Sequence, residues 1–445
     1  MSQGVCGAGE SRPFFNCDAA GQVGWCFSSR QKFWSIRNVG LKSATGWDGL
    51  LLARTASRCQ SERASKALAV ASTPFSSNCH EKESSMNTIA MAPNPSAPVY
   101  AVDLAKNVFQ VHTFGPHGES VSEQRLSRRK FAEKFDSPHT RRGMIVMEAC
   151  GSSNYWARRF QEQGYRTHLV PPQFVAKRRM GNKTDGNDAN TIYAVYRDRR
   201  VKPVPVKTVD QQDLMALHRV RERLIKQQTQ CSNQVRSLLA ERGLVAKAGA
   251  VGFEELMLQL NQEDVPQVTD RLRYLIATMV EEIEQRQEKV KQVEKLLKEV
   301  KKQSPICQLL LTIPGVGLMT ATAMTAEHGA SVARYSDCRQ FAASIGSTPS
   351  EHSSGEKQHR GPITKRGNAY LRRLMTQGAQ SVVNRCRQRD DALHSMARRL
   401  LDAGKPRNKV VMAVVNHMAR IIYAVLKHRE PYAAAGRPDT SAAAA

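Results

Sequence analysis

The chain is short of acid. Against 66 Lys and Arg stand only 40 Asp and Glu, a formal net charge of +26 over 445 residues. That imbalance favours a polyanionic partner bound in a salt-dependent way, because each neutralised phosphate releases counterions. A basic but merely solvated surface, or a ribosome-associated role, would leave the same composition. Zinc spacing is lacking too: the ten cysteines form no paired motif and no dense framework, and read as reduced thiols of a cytoplasmic protein. No apolar core follows a basic start near Met1, so no secretory signal is expected. Nor is there an intact membrane-length run. Residues 306–326 carry no charge and are long enough to span a bilayer. Pro314-Gly315-Val316-Gly317 breaks them, however, and Gln308, Thr312, Thr320, Thr322 and Thr325 dilute them. Two short helices about a tight turn are expected there, in a soluble protein with no membrane partner. The length implies two to four domains.

The scarce acids include four in informative places. Asp103 lies in Val-Tyr-Ala-Val-Asp-Leu-Ala-Lys (99–106) and Glu148 ends Met-Ile-Val-Met-Glu (144–148); both segments read as strands. Asp185 and Asp188 open a helix in Lys-Thr-Asp-Gly-Asn-Asp-Ala (183–189). A carboxylate closing an apolar strand is expensive unless it is paired, hydrogen-bonded or ligating a cation. Two such strand-end acids, with a helical pair three residues apart on one face, suit hard divalent ions such as Mg2+ or Mn2+. Two ions about 3.5–4 Å apart could clamp a phosphodiester for in-line displacement. Blander roles exist for each residue. Asp103 could cap a turn, Glu148 could pair with Arg141 or Arg142, and Asp185 and Asp188 could serve only the helix N-terminus.

The remaining chain divides by pattern. Residues 1–85 hold five of the cysteines and no sustained periodicity. They are expected to be an upstream translation extension, with Met86 or Met91 as the working start, or else a disordered arm. Residues 96–205 alternate strands (Val99–Leu104, Val108–Phe114, Met144–Glu148, Thr167–Val170) with helices (Ser127–Phe135, Asn154–Gly164, Thr184–Tyr196). That order suits an α/β ribonuclease-H-like layer. Residues 206–303 are mostly helix. Asp210–Arg242 ends at Gly243, a good position for a C-terminal cap. Val268–Lys302 carries a coiled-coil stripe of Leu272, Ile276, Met279, Ile283, Val290, Val293, Leu297 and Val300, interrupted by Arg286. The two helices could form an antiparallel hairpin, a dimer seam or a plain bundle. Residues 304–430 form a mainly helical final domain, and residues 431–445 read as a disordered tail.

Two features of that final domain point to nucleic acid. Residues 311–321, with Gly315 and Gly317, resemble a helix-hairpin-helix turn, in which glycines let backbone N–H groups approach a phosphate; a structural helix–helix turn would look the same. From Glu356 to Glu430 there are 17 Lys and Arg against five Asp and Glu, which fits a phosphate-tracking surface. A small-residue loop, Ser353-Ser354-Gly355, could present a hydroxyl nucleophile, with Lys365, Arg366 and Arg372 supplying charge at the phosphate. Such loops are common, and a plain loop is the alternative.

Taken together and in order, six motifs carry a resemblance. They are Ala-Val-Asp-Leu-Ala-Lys (101–106), Glu-Ala-Cys-Gly-Ser-Ser (148–153), Lys-Thr-Asp-Gly-Asn-Asp-Ala (183–189), Ile-Pro-Gly-Val-Gly (313–317), Ser-Ser-Gly (353–355) and Thr-Lys-Arg-Gly-Asn-Ala-Tyr-Leu-Arg-Arg (364–373). The chain resembles the DEDD-type transposases of the insertion-sequence one-ten group, relatives of the Piv-type DNA invertases, over about residues 97–430. The resemblance implies a RuvC-like domain in which Asp103, Glu148, Asp185 and Asp188 bind Mg2+ (or Mn2+). It implies a C-terminal transposase domain whose serine, carried over to Ser354 as the residue before the Gly, links covalently to DNA. Lys365, Arg366, Arg372 and Arg373 then fall on the nucleic-acid side. It further implies an element-encoded guide RNA, a homo-oligomer (dimer or tetramer) built through the helical region, and a bacterial, nucleoid-associated location. The rival functions are a metal-dependent Holliday-junction-type nuclease using water, or a non-catalytic nucleic-acid-binding protein.

Overall fold

The computed structural model describes residues 97–178, 185–261, 265–329, 332–354, 357 and 359–432, with the backbone of two short paired strands at Gly24–Trp25 and Trp34–Ser35. Side chains are described from residue 97 onward, except those of 185–187. The expectations for residues 1–85, those two strands apart, and for the tail beyond Tyr432 lie outside the described residues. The chain forms two compact units: one contains Arg221–Gln292, the other the described residues from 97 to Val220 and from Val293 onward.

In the second unit, five strands make one sheet: β1 (Val99–Leu104), β2 (Val108–Phe114), β3 (Ser120–Ser127), β4 (Met144–Glu148) and β5 (Arg166–Val170). Their order is β3-β2-β1-β4-β5, with β1, β2 and β3 antiparallel and β4 and β5 parallel to β1. Parallel neighbours need crossovers. Helices α1 (Arg128–Asp136) and α2 (Ser153–Glu162) provide them. Ser127 caps α1 by accepting from the Lys130 amide. Both helices cover one face with Phe131, Phe135, Trp156 and Phe160, against Tyr100, Val102, Phe109, Val111, Ile145, Met147 and Leu169. Each such side chain, fully buried, stabilises the layer by about 1.5–3 kcal/mol. The other face carries Ala101, Phe114, Val146 and Val170, covered by α3 (Pro172–Arg178) through Val175 and by α4 (Asp185–Arg197) through Ile192 and Val195.

Two long helices follow, α5 (Val209–Ala240) and α7 (Asp270–Gln303), with α6 (Ala250–Leu260) between them. In the first unit, Val235 and Leu239 of α5 cluster with Leu256, Met257 and Leu260 of α6 and with Leu272 and Ile276 of α7. The Cys231 thiol reaches the Met279 carbonyl at 3.4 Å. Rising numbers on α5 meet falling numbers on α7, so the helices are antiparallel within one chain. In the second unit, Leu214, Met215 and Leu217 meet Val293, Leu297 and Val300 in the same sense.

The C-terminal region packs α8 (Pro305–Leu311), α9 (Leu318–His328), α10 (Cys338–Ser344), α11 (Ala369–Asn384) and α12 (Ala392–Asp402) around α13 (Arg407–His428), with a hairpin of β6 (Pro349–Glu351) and β7 (Arg360–Ile363). The uncharged run at 306–326 divides into α8 and α9 about the Pro-Gly turn. Among the described residues, α13 is the one helix long and apolar enough to cross a membrane. Its Val410, Val411, Val414, Val415, Met418, Ala419 and Ile422 are the centre of the core. The segment leaving the sheet is tied to this region by Lys207, whose Nζ lies 2.8 Å from Glu327 Oε2, and the start of α5 by His218 Nδ1, 2.9 Å from the Tyr370 hydroxyl.

Candidate active site

Strand register brings the first two acids together. Val102 of β1 pairs with Met147 of β4, so the next residues, Asp103 and Glu148, stand side by side at the carboxyl ends of neighbouring parallel strands. Alternation puts Asp103 on the face of Ala101, and Glu148 on the face of Val146. That is the face covered by α4. Asp103 and Glu148 are half-buried.

Helix α4 delivers the third acid to the same end. Asn190 touches His112 of β2, and the Tyr193 ring stacks on Phe114 of β2 at 3.7 Å. His112 pairs with Ala101, and Phe114 with Val99, so α4 runs counter to β1 and its first turn overlies the Asp103 end. Asp188, Ile192 and Val195 fall on one helical stripe. All three are buried, with Asp188 only 6% exposed. Asp185 is the first residue of α4, but its side chain lies outside the described residues.

Sequence reasoning missed a polar group beside these acids. Gln110 pairs across the sheet with Asp103. His112, fully buried, places Nδ1 3.1 Å from Asn190 Oδ1 and 3.3 Å from Glu123 Oε1, with Nε2 3.4 Å from Gln110 Nε2. Two acceptors at Nδ1 and an amide donor at Nε2 select the Nδ1–H tautomer. His112 therefore ties β2 to the helix that carries Asp188. Its signal was the alternation of Gln110 and His112 with Phe109 and Val111 in a strand buried on both faces. Arg142, weighed above as a partner for Glu148, sits at the opposite end of β4, where its guanidinium donates to the Tyr165 hydroxyl and to the Thr140 carbonyl.

As a donor set, these carboxylates are hard oxygen ligands of the kind divalent cations take, drawn to one end and one face of the sheet. Among the described residues no three His, Cys, Asp or Glu side chains form a metal-sized cluster, so Asp103, Glu148 and Asp188 share one end of the sheet without closing on a common point; the Asp185 side chain lies outside the described residues. The chemistry of the set fits a divalent ion.

The serine loop is the tip of the β6–β7 hairpin. Ser353 Oγ donates to Glu351 Oε1 at 2.8 Å. Ser354 is exposed and forms a bridge with Lys357, its amide 3.3 Å from the Lys357 carbonyl; Gly355 lies outside the described residues. Lys365 and Arg366 are exposed on the turn after β7, where Lys365 has a positive φ of 52°. Arg372 is half-buried and braces that turn, its Nη1 donating to the Ile345 carbonyl at 3.0 Å. The Arg373 guanidinium lies 5.3 Å from the centre of the Tyr370 ring.

The two glycines of the Pro-Gly turn differ. Gly315, with φ +82°, rests against α11; a Cβ there would come within 2.8 Å of the Gly378 carbonyl oxygen. Gly317 precedes α9 in extended conformation, and a Cβ there would meet nothing within 4 Å.

Known proteins resemble this chain over both regions. Residues 100–242 match the model of IS110-type DEDD transposases, and residues 307–395 match that of the transposase IS116/IS110/IS902 family. The transposase for insertion sequence element IS1111A of Coxiella burnetii is 36% identical over 335 residues, which span 75% of this chain and 91% of the relative. A probable family 20 transposase of Pseudomonas aeruginosa is 34% identical over 74% of this chain and 97% of its own length. The transposase for element IS1328 of Yersinia enterocolitica is 30% identical over the same shares.

Proposed function

The chain belongs to the IS116/IS110/IS902 family of insertion-sequence transposases, enzymes that cut and join DNA, and from that premise we propose how its residues divide the chemistry. DEDD transposases use divalent metal ions. Asp103, Glu148, Asp185 and Asp188 would hold Mg2+ or Mn2+, which when bound supplies positive charge at the scissile phosphate. The observation that carries this reading is the meeting of Asp103 and Glu148 at the strand ends beneath the first turn of α4, with Asp188 buried there. The sheet order supports a ribonuclease-H-like, RuvC-like domain over residues 96–205, followed by the antiparallel helices and the C-terminal transposase domain.

Ser354 is the nucleophile. Its Oγ forms a bond to phosphorus as the P–O3′ bond breaks; the seryl proton is lost, and the departing oxygen gains one as a 3′-hydroxyl. Energy of the phosphodiester is kept in the phosphoserine link, so attack by another 3′-hydroxyl rejoins a strand and restores the serine. Lys365 and Arg366 offset charge on the phosphate, and Arg372 holds their turn. Ser353 is the less suited hydroxyl, being committed to Glu351. A guide RNA and a homo-oligomer belong to the same reading; the net charge of +26 is compatible with either nucleic acid and does not single out RNA.

The test is Ser354→Ala with a nicked DNA substrate. Cleavage and the trapped protein–DNA adduct should both vanish while nucleic-acid binding persists. Cleavage by Ser354→Ala at the wild-type rate, without an adduct, would favour a junction-type nuclease that uses water.

A further inference from the structure

The Pro-Gly turn has a second property, independent of the carboxylates and the serine. Between Pro314 and Gly315 and the end of α11 lies a cleft of about 50 Å³, lined by Pro314, Gly315, Ser381, Val382, Arg385, Arg389 and His394. At about 10–15 Å³ per water-sized group, it holds a few oxygen-sized atoms, close to the size of one phosphate group.

The cleft is cationic for a structural reason. Four arginines cluster here. Two are matched to acids: Arg387 lies 3.7 Å from Asp402, and Arg398 lies 2.9 Å from Asp390. Arg385 and Arg389, the two on the cleft, are exposed and meet no carboxylate among the described residues. Asp391, beside the cleft residue His394, is already used. It caps α12 by accepting from the Leu393 and His394 amides, and its Oδ2 lies 2.5 Å from His394 Nδ1. His394 is buried, so the cleft has one rigid wall. Arg385 at the carboxyl end of α11 is also favoured by the helix dipole. The result is a small, walled depression with two guanidinium groups and the Ser381 hydroxyl around it. A guanidinium fork matches the tetrahedral oxygens of a phosphate.

We propose that this cleft binds a backbone phosphate of a nucleic acid, held by Arg385 and Arg389 with Ser381 as a hydroxyl donor. The contact positions the strand and carries no base information. The phosphate could belong to DNA or to RNA, and the chemistry of the cleft is the same for both.

Arg385→Gln, Arg389→Gln and the double variant of the full-length chain test this, with Arg387→Gln as a control that removes equal charge beside the cleft. Fluorescence anisotropy is read against a random-sequence DNA duplex and an RNA duplex of equal length, in EDTA so that metal-dependent chemistry is silent. Each cleft variant should lower affinity roughly eightfold at about 0.1 M salt and flatten the salt slope by about one ion. Ser381→Asp, which sets a carboxylate at an exposed rim position, should weaken binding at least as much. Loss with one duplex alone identifies the source of the phosphate; loss with both shows that each can fill the cleft. Cleft variants that retain wild-type affinity and slope for both duplexes, or lose no more than Arg387→Gln does, overturn the proposal. Circular dichroism melting confirms that each variant is folded.

Discussion

Replacing Gly378 with alanine gives a test in which the sign of the answer decides. Gly378 lies inside α11, where alanine is ordinarily the better residue by about 1 kcal/mol. A helix that met only solvent there would be stabilised by the change. In this fold the new Cβ would sit 2.0 Å from the Gly315 carbonyl oxygen, where ordinary contact begins at 3.4 Å, with Met418 Cε a further neighbour at 3.5 Å. The oxygen must therefore retreat by more than an ångström. It cannot do so freely, because Gly315 already occupies positive φ and the Val316 amide is bonded to the Ile313 carbonyl at 3.0 Å. Overpacking of a fixed backbone costs about 1–3 kcal/mol or more, and a shift of this size falls toward the upper end, so after the propensity gain the net change should be a destabilisation of up to about 2 kcal/mol. Urea unfolding of the full chain, followed at the helical signal, measures it. Gly317→Ala is the control: its Cβ meets open space, and the change should stay below about 1 kcal/mol. If Gly378→Ala raises the urea midpoint, the close approach of turn and helix is wrong, and the shape of the adjoining cleft is wrong with it.

Asp188→Asn should abolish strand cleavage, a loss of at least about a hundredfold, while duplex binding in EDTA is unchanged. In the same variant the rise in melting temperature with Mg2+ should disappear; for the wild type, an ion at 100 times its Kd adds about 2.7 kcal/mol. Retention of both properties would remove Asp188 from the site. His328 gives a pH dependence of stability. Its ring is packed against Phe341 and Tyr335, and burial holds its pKa near 4 against an ordinary 6.5. The unfolded chain takes up the proton first, so stability should fall as pH drops from about 6.5 to about 4 and level off below. The loss is on the order of 3 kcal/mol. Denaturant unfolding across that range should show it, and His328→Phe should flatten it.

Legibility from sequence followed burial. The apolar strands around Asp103 and Glu148 were readable because each is sandwiched between two helical layers. Ser120–Ser127 was not, because an edge strand facing solvent keeps polar residues such as Glu123, Gln124 and Arg125 at positions an inner strand would fill with valine. Pro172, two residues past the end of β5 at Val170, begins α3 at a position where its missing amide costs nothing. Helix α6 stayed hidden behind Gly249 and Gly252. The acids themselves stood out by chemical type, but which strand neighbours which is a long-range fact that no local period encodes. The register that joins Asp103 to Glu148 depends on the crossover through α1 returning the chain so that β4 lies parallel against β1, with Phe131, Phe135, Trp156 and Phe160 packed on the same face of the sheet. Burial on both faces explains why His112 was overlooked. In a strand covered on both sides, a histidine reads as a lone exception until Asn190 is seen to arrive from a helix 78 residues later. That buried polar group is where β2 is fastened to the helix that carries Asp188.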